Sequence, residues 1–403
     1  MGQENKDKRI AGLNAQKSLC SQIQYLKENG FIETFEEKKK YGHIGLRDDQ
    51  FVCDFSVTFR NKETWILFST TSLRTDRFKA KQWDSFNIKI IDPKIQKAFI
   101  ICTDDDNEIE NFCNNHASNK DLLYVDGILS QEGFFHLIDD KILGSVLNGR
   151  KAAKVGLNFQ SLLGMILKNE QNLRKYQGSK KSIGILYNNF KIVLQKLLEK
   201  DGNSQSDIKD ISASTKIPDL PQYTYEDGTT KKGGKAKTDL LLSVKFKDQD
   251  LKKYTISCKN IQANKATVFE FPPKYCAEIL SKAGLSKNEK NKLELLLDKF
   301  LECGGPTLMS KEDAQQLENL LKPHLDFFQK WALRGTDKHY SNPDQLADYI
   351  VTRKSGENEY FIETIEECIQ RLTTKHFGTI FGWTVTKTDK KTKKKNIRLT
   401  ISE

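Results

Sequence analysis

Residues 17 to 31, KSLCSQIQYLKENGF, carry apolar side chains at helical spacing and run out at Gly30, so the pattern predicts a helix closed by a glycine. QFVCDFSVTF (50 to 59) and TWILFSTT (64 to 71) are rich in β-branched and aromatic residues and are separated by RNKE, which predicts two adjacent strands joined by a turn. KAFIIC (97 to 102) and DLLYVDG (121 to 127) predict further strands. The first 150 residues therefore predict a small α/β domain.

From 151 to 182 the chain becomes a basic stretch ending in RKYQGSKKS, and this reads as a linker region. IGILYNNFKIVLQKLLEK (183 to 200) opens a second domain, 183–403, with an amphipathic helix, followed by DGNSQSDIKD as a loop. DLLLSVKF (239 to 246) and KYTISCKN (253 to 260) predict neighbouring strands. KNEKNKLELLLDKFLEC and KEDAQQLENLLKPHLDFFQKWAL predict helices, and FGTIFGWTVTKTDKKTKKKNIRLTISE predicts a β-hairpin with a lysine-loaded turn.

The length of 403 residues agrees with two domains, each able to bury a core. No apolar run approaches the roughly 18 residues of a membrane span, and the polar start MGQENKDKRIAG lacks the core of a secretory signal. Lys6 stands where a lipidation signal favours Ser or Thr. The eight cysteines form no CxxC pair and read as reduced, so the expected location is the cytoplasm, with no membrane partner. The six histidines are isolated and read as structural. A formal charge of +11 favours a polyanionic partner, although lysine-rich composition alone also produces such a charge.

Candidate chemistry lies on the two strands of the second domain. Asp239 opens one, and the alternation of the next places Thr255, Ser257 and Lys259 on one face and Tyr254, Ile256 and Cys258 on the other. Asp239, Ser257 and Lys259 therefore converge. A carboxylate at a strand end holds a hard cation such as Mg²⁺, and a lysine on the neighbouring strand orients the attacking water and offsets charge on a phosphate. The backbone carbonyl of Cys258 is a further candidate metal ligand. Ser257 occupies a position where a carboxylate would bind metal better, so the remaining ligand is a water held by Ser257 or a carboxylate such as Glu199 or Glu226. The competing reading makes Asp239 a residue that starts a strand after a turn, and Lys259 a solvated edge residue.

From about residue 180 onward the chain resembles the MspI-type type II restriction endonucleases. The resemblance is carried by SIGILYNNFKIVLQ, KKGGKAKTDLLLSVKF, TISCKNIQANKATVFEF, LENLLKPHLDFFQKWAL and FGTIFGWTVTKTDKKTKKKNIRLT, in the family's order and at similar spacing. It implies a PD-(D/E)xK core, a mixed sheet flanked by helices, appended to the N-terminal α/β domain. It also implies double-strand cleavage of DNA at a short specific sequence with Mg²⁺, by one subunit or a homodimer, beside a DNA methyltransferase of the same specificity. Asp239 and Lys259 take the catalytic positions, and Ser257 falls where this family itself uses a neutral polar side chain. Thr267 and Thr384 fall where the family contacts bases. Arg398 and Thr400 fall where it carries Gln and Lys, so the family's CCGG target is one candidate among G-containing palindromes.

Lys393, Lys394 and Lys395 in the hairpin turn, and Lys235 and Lys237 before Asp239, are candidates for phosphate contact; each run also reads as a solvated loop. The glycines of KKGGKAK do not complete a GxxxxGK[ST] nucleotide loop. Trp331 and Trp383 read as packing residues. In the first domain, Asp54 and STTSLRTDRFK imitate the two-strand layout, with Thr71 where a catalytic lysine is expected. That domain is either a degenerate nuclease-like fold for DNA recognition or dimerisation, or an appendage with another role. A sequence-specific DNA-binding protein with an inactive nuclease fold, and an RNA- or structure-directed nuclease, stand as alternatives for the whole chain.

Overall fold

Leu19, Ile23 and Leu26 fall on one stripe of a 27-residue helix, α1 (Gly2–Glu28), and all three are buried. The helix ends where Gly30 adopts φ +79°, a conformation that leaves the Phe31 amide free to donate to the Leu26 carbonyl at 2.9 Å. The computed structural model describes residues 2–42, 50–116, 124–145, 158–179, 182–202, 208–247, 250–261, 264–335, 342–354, 359–388 and 395–402. The chain divides into two units, Met1–Asn158 with Asn169–Tyr187, and Phe159–Lys168 with Asn188–Glu403.

In the first unit β1 (Ile32–Glu37), β2 (Phe55–Phe59) and β3 (Thr64–Thr70) form an antiparallel meander. Helix α2 (Thr75–Ile91) then crosses over to β4 (Ile95–Cys102), parallel to β3. Helix α3 (Asp106–His116), strand β5 (Gly127–Ser130) and helix α4 (Gln131–Ser145) follow, and the sheet order is β1-β2-β3-β4-β5. Of the stretch DLLYVDG, residues 121–123 lie outside the described residues, and the strand itself begins at Gly127.

The linker expected over 151–182 is corrected by two helices. Helix α5 (Phe159–Leu167) belongs to the second unit and buries Phe159, Leu162, Leu163, Met165, Ile166 and Leu167, whereas α6 (Glu170–Tyr176), capped by Asn169, belongs to the first. The basic flanks dominated the composition, but FQSLLGMIL is apolar around most of its circumference and can only be an interior helix.

The second unit continues with α7 (Tyr187–Lys200) and β6 (Ile208–Ser214), whose first three residues end the stretch DGNSQSDIKD that was expected to be a loop. The short pair β7 (Tyr223–Thr224) and β8 (Thr230–Lys231) precedes β9 (Leu240–Phe246), β10 (Lys252–Ile261) and β11 (Lys265–Phe271). Helices α8 (Pro273–Ser281), α9 (Lys287–Cys303), α10 (Lys311–Leu321) and α11 (Leu325–Leu333) come next. Pro323 lies in a 3₁₀ turn between the last two and splits a stretch that periodicity had joined. Strands β12 (Tyr349–Lys354) and β13 (Tyr360–Thr364), helix α12 (Ile365–Arg371), and the hairpin β14 (Gly382–Val385) and β15 (Ile397–Ser402) complete the unit.

Besides the β7-β8 pair, the described strands of this unit form two larger sheets, β13-β12-β10-β9-β6 and the antiparallel β11-β15-β14. In the first, β6, β9 and β10 are an antiparallel meander and β12 lies parallel to β10. Asp348 fixes that parallel pairing, because its amide donates to the Thr255 carbonyl and its carboxylate accepts from Thr255 Oγ1 at 3.0 Å and from Arg334. A core of Phe271, Phe300, Phe328, Trp331 and Trp383 backs the second sheet, and Trp383 Nε1 donates to Thr379 Oγ1 at 2.9 Å. Both tryptophans pack, as their sequence context predicts. Mixed five-stranded sheets flanked by helices place the chain in the α/β class. Among the described residues no helix is long and apolar enough to cross a membrane.

Candidate active site

The segment that delivers Asp239 is pinned residue by residue. The amides of Lys237 and Thr238 donate to the Gln345 carbonyl, Thr238 Oγ1 donates to the Leu346 carbonyl, and the Asp239 amide donates to the Ile256 carbonyl at 2.8 Å. Just upstream, Gly233 is needed sterically: a Cβ there would lie 1.7 Å from the Leu220 carbonyl oxygen. The first glycine of KKGGKAK therefore serves a close backbone approach, whereas a Cβ at Gly234 would meet nothing within 4 Å.

Three donors meet at one oxygen of Asp239. Oδ2 accepts from Ser257 Oγ at 3.3 Å, from the Cys258 amide at 2.8 Å and from Lys259 Nζ at 2.9 Å. Oδ1 has no hydrogen-bond partner among the described residues, and the side chain is 25% exposed. Strand alternation thus brings the three predicted residues together, with Ser257 buried and Lys259 half-buried. Burial, and then the Asp239 carboxylate, push the Cys258 thiol well above its ordinary range, so it stays protonated.

Neither alternative carboxylate joins this group. Glu226 forms an ion pair with Lys290 at 2.6 Å, and Glu199 is exposed on α7. Among the described residues there is no cluster of three or more His, Cys, Asp or Glu able to hold a metal. The sequence missed Gln160, on α5, whose side-chain amide donates to the Asp239 carbonyl. Reading 151–182 as a linker hid it.

The base-contact candidates share one face of the sheet β11-β15-β14. Thr267 pairs with Thr400, which pairs with Gly382, and Glu270 pairs with Arg398, which pairs with Thr384. Directly opposed residues of antiparallel strands point to the same side, and Arg398 and Thr400 are two apart. Thr267 and Glu270 are three apart and fall on this common face only because Val268 is the extra residue of a bulge. Thr267 and Thr384 are exposed. Thr400 is nearly covered, and its hydroxyl donates to the Gly382 carbonyl at 3.2 Å. Arg398 Nε donates to Glu270 Oε1 at 2.7 Å, a pair the sequence did not reveal.

The lysines separate. Lys235 is 91% exposed, with Asp219 at 3.5 Å, and Lys395 is exposed. Lys393 and Lys394 lie outside the described residues. Lys237 corrects the phosphate-contact expectation. It is buried, its ammonium donates to the carbonyls of Ala332 at 2.5 Å and Val268 at 3.3 Å, and it sits 3.4 Å from the centre of the Phe269 ring. Carbonyl dipoles and an aromatic face satisfy the charge inside the fold.

This chain is similar over nearly its whole length to the type II restriction enzyme BsuFI of Bacillus subtilis, at 24% identity over 401 residues and 95% of each chain. A crystal structure of restriction endonuclease MspI with its cognate DNA superposes with a TM-score of 0.47 at 21% identity, covering 66% of this chain and 97% of that one. The family model for restriction endonuclease MspI matches residues 138–399, well over half of the sequence. The chain belongs to the MspI family of type II restriction endonucleases.

Proposed function

We propose that the chain hydrolyses phosphodiesters in both strands of duplex DNA at a short specific sequence with Mg²⁺, through Asp239, Ser257 and Lys259. One observation carries this reading: three donors saturate Asp239 Oδ2, while Oδ1 is left free on a part-exposed carboxylate. The N–H and C=O of one strand residue point to the same side. The Cys258 carbonyl therefore faces the same edge as its amide, beyond the point where β9 begins, and is the second candidate ligand.

One carboxylate and one carbonyl fit a cation that keeps most of its water, as Mg²⁺ does, and not a closed zinc site. When bound, Mg²⁺ supplies Lewis acidity toward the scissile phosphate and lowers the pKa of coordinated water. Asp239 and the Cys258 carbonyl would hold it. Ser257 Oγ fixes the carboxylate rotamer, and its lone pairs can hold a water. Lys259, anchored on Asp239, presents a positive charge where the phosphate becomes more negative, a placement that pays no reorganisation cost during reaction.

Thr267, Thr384 and Arg398 would read base edges from the shared face, with Thr400 supporting it and Lys235 and Lys393 to Lys395 contacting phosphates. CCGG is the candidate target carried by the family resemblance. A cytoplasmic location, a methyltransferase of matching specificity as genetic partner and action as a monomer or homodimer belong to the same reading. The test is incubation of phage DNA with the wild-type protein and with Lys259→Ala, each with and without Mg²⁺, followed by sequencing of the fragment ends. Discrete fragments from wild type with metal alone support the proposal. Specific binding without cleavage by the wild type, under every metal tried, would replace it with a DNA-binding role.

A further inference from the structure

The two units, each taken by itself, repeat one backbone device. In the first, β1-β2-β3 is an antiparallel meander and β4 joins β3 in parallel; in the second, β6-β9-β10 is the meander and β12 joins β10 in parallel. Each middle strand is preceded by an aspartate, Asp54 before Phe55 and Asp239 before Leu240. The Asp54 amide donates to the Leu67 carbonyl at 3.0 Å, as the Asp239 amide does to that of Ile256. Two residues further along the third strand, an amide returns to the carboxylate: Ser69 to Asp54 Oδ2 at 2.6 Å, and Cys258 to Asp239 Oδ2 at 2.8 Å.

These paired bonds set the register without any superposition. Leu67 matches Ile256, both fully buried; Phe68 matches Ser257, Ser69 matches Cys258, and Thr70 matches Lys259. The residue at the lysine position is thus Thr70, one place before the Thr71 that the sequence pattern indicated. The chemistry differs at each point that matters. Phe68 offers no polar atom, and the Thr70 hydroxyl donates to the Ser72 carbonyl at 2.9 Å. The carboxylate oxygen that is free in Asp239 is occupied in Asp54: Lys38 Nζ forms an ion pair with Asp54 Oδ1. Lys38 makes this contact from φ +49°, a left-handed backbone that residues with a side chain rarely adopt, and its amide donates to the Asp54 carbonyl at 2.8 Å.

We propose that the N-terminal unit is a second, catalytically silent copy of the nuclease core, in which the Lys38 ammonium occupies the cation position at Asp54. Its charge sets it apart too. Over 1–158 and 169–187 this unit holds 27 Lys and Arg against 24 Asp and Glu, so most of the chain's excess positive charge lies in the other unit. The Asp54–Lys38 pair is a structural centre, and the inference rests on the reading of Asp239 as a metal carboxylate.

Two measurements on the full chain test it. With Fe²⁺ in place of Mg²⁺, ascorbate and peroxide generate hydroxyl radicals that cut the backbone beside a bound metal. Cuts are expected around Asp239 and Lys259 and none around Asp54 and Ser69. Cuts at Asp54 would overturn the silent-site assignment, whereas failure to cut at Asp239 would count against the proposed function and leave the Asp54 result standing. Asp54→Asn should keep the wild-type kcat/KM on cognate DNA while lowering Tm, and the Tm losses of Lys38→Met and Asp54→Asn should be strongly non-additive in the double variant. Additive losses would remove the structural pair, and loss of cleavage by Asp54→Asn at unchanged Tm would make the first site catalytic.

Discussion

Lys237 Nζ donates to the carbonyl of Val268, the extra residue of the bulge that keeps Thr267 and Glu270 on one face of the β11-β15-β14 sheet. Lys237 is also two residues from Asp239 along a segment held by the Gln345 and Leu346 carbonyls. One buried ammonium therefore ties strand β11, which carries the base-contact candidate Thr267, to the segment that delivers Asp239. Lys237→Met keeps the length of the side chain and abandons both carbonyls. It should cost about 1–3 kcal/mol of stability, the usual penalty for buried acceptors left unpaired. Cleavage of the cognate site should also fall more than cleavage of sites altered at one base. An unchanged discrimination ratio would reduce Lys237 to a packing residue.

Arg398 is held by Glu270 across strands β15 and β11, both side chains being part-exposed. A pair so placed adds little stability, and under the proposed function it presents the guanidinium to a base edge. Arg398→Ala should weaken specific binding by about 1–3 kcal/mol, the range for a lost bidentate base contact, and relax the preference at one base pair. Glu270→Gln should leave affinity for non-cognate DNA nearly unchanged and alter selectivity alone. Equal losses on cognate and random duplexes, measured at fixed salt, would assign Arg398 to phosphate instead.

The convergence of the candidate residues was more legible than its setting. Asp239, Ser257 and Lys259 could be read together because two strand alternations are local, and the alternation survives in the folded chain. Lys237 was misread because nothing within KKGGKAKT separates it from Lys235; its burial is decided by Phe269 and Ala332, far along the sequence. Gln160 was lost for a different reason, since a nine-residue helix flanked by basic residues has the composition of a linker. The common face of Thr267, Thr384 and Arg398 depends on a single bulged residue, and a bulge leaves no mark on hydrophobic periodicity.

Ser257 is the residue at which this site departs from a two-carboxylate arrangement. Its hydroxyl donates to Asp239 Oδ2 at 3.3 Å, a long bond whose loss leaves the Cys258 amide and Lys259 in place. Ser257→Ala should therefore lower kcat by about tenfold, the equivalent of one neutral hydrogen bond, with KM little changed. Ser257→Asp should strengthen binding of divalent cations and shift the Mg²⁺ dependence of cleavage to lower concentration. Unaltered Mg²⁺ dependence in the aspartate variant would place the metal away from this oxygen cluster.

Asp139, in the first unit, gives a stability prediction independent of DNA. Its Oδ1 accepts from the Leu186 amide at 2.9 Å. Burial pushes its carboxyl up from 3.8 to about 7; the Leu186 bond opposes the rise, and Asp140 adds to it. A raised folded-state pKa means that the native protein binds this proton more tightly than the unfolded chain does. The resulting stability is fully present below the unfolded pKa and is lost as pH climbs through the folded one, so the window runs from about pH 4 to 7. Within it the slope approaches 1.4 kcal/mol per pH unit for a single proton. Asp139→Asn retains an acceptor for Leu186 and cannot ionise. Denaturant melts between pH 4.5 and 8 should show a smaller decline for the variant than for wild type, with the variant the more stable of the two above pH 7. Parallel curves would mean that Asp139 ionises in the folded protein as freely as in the unfolded chain.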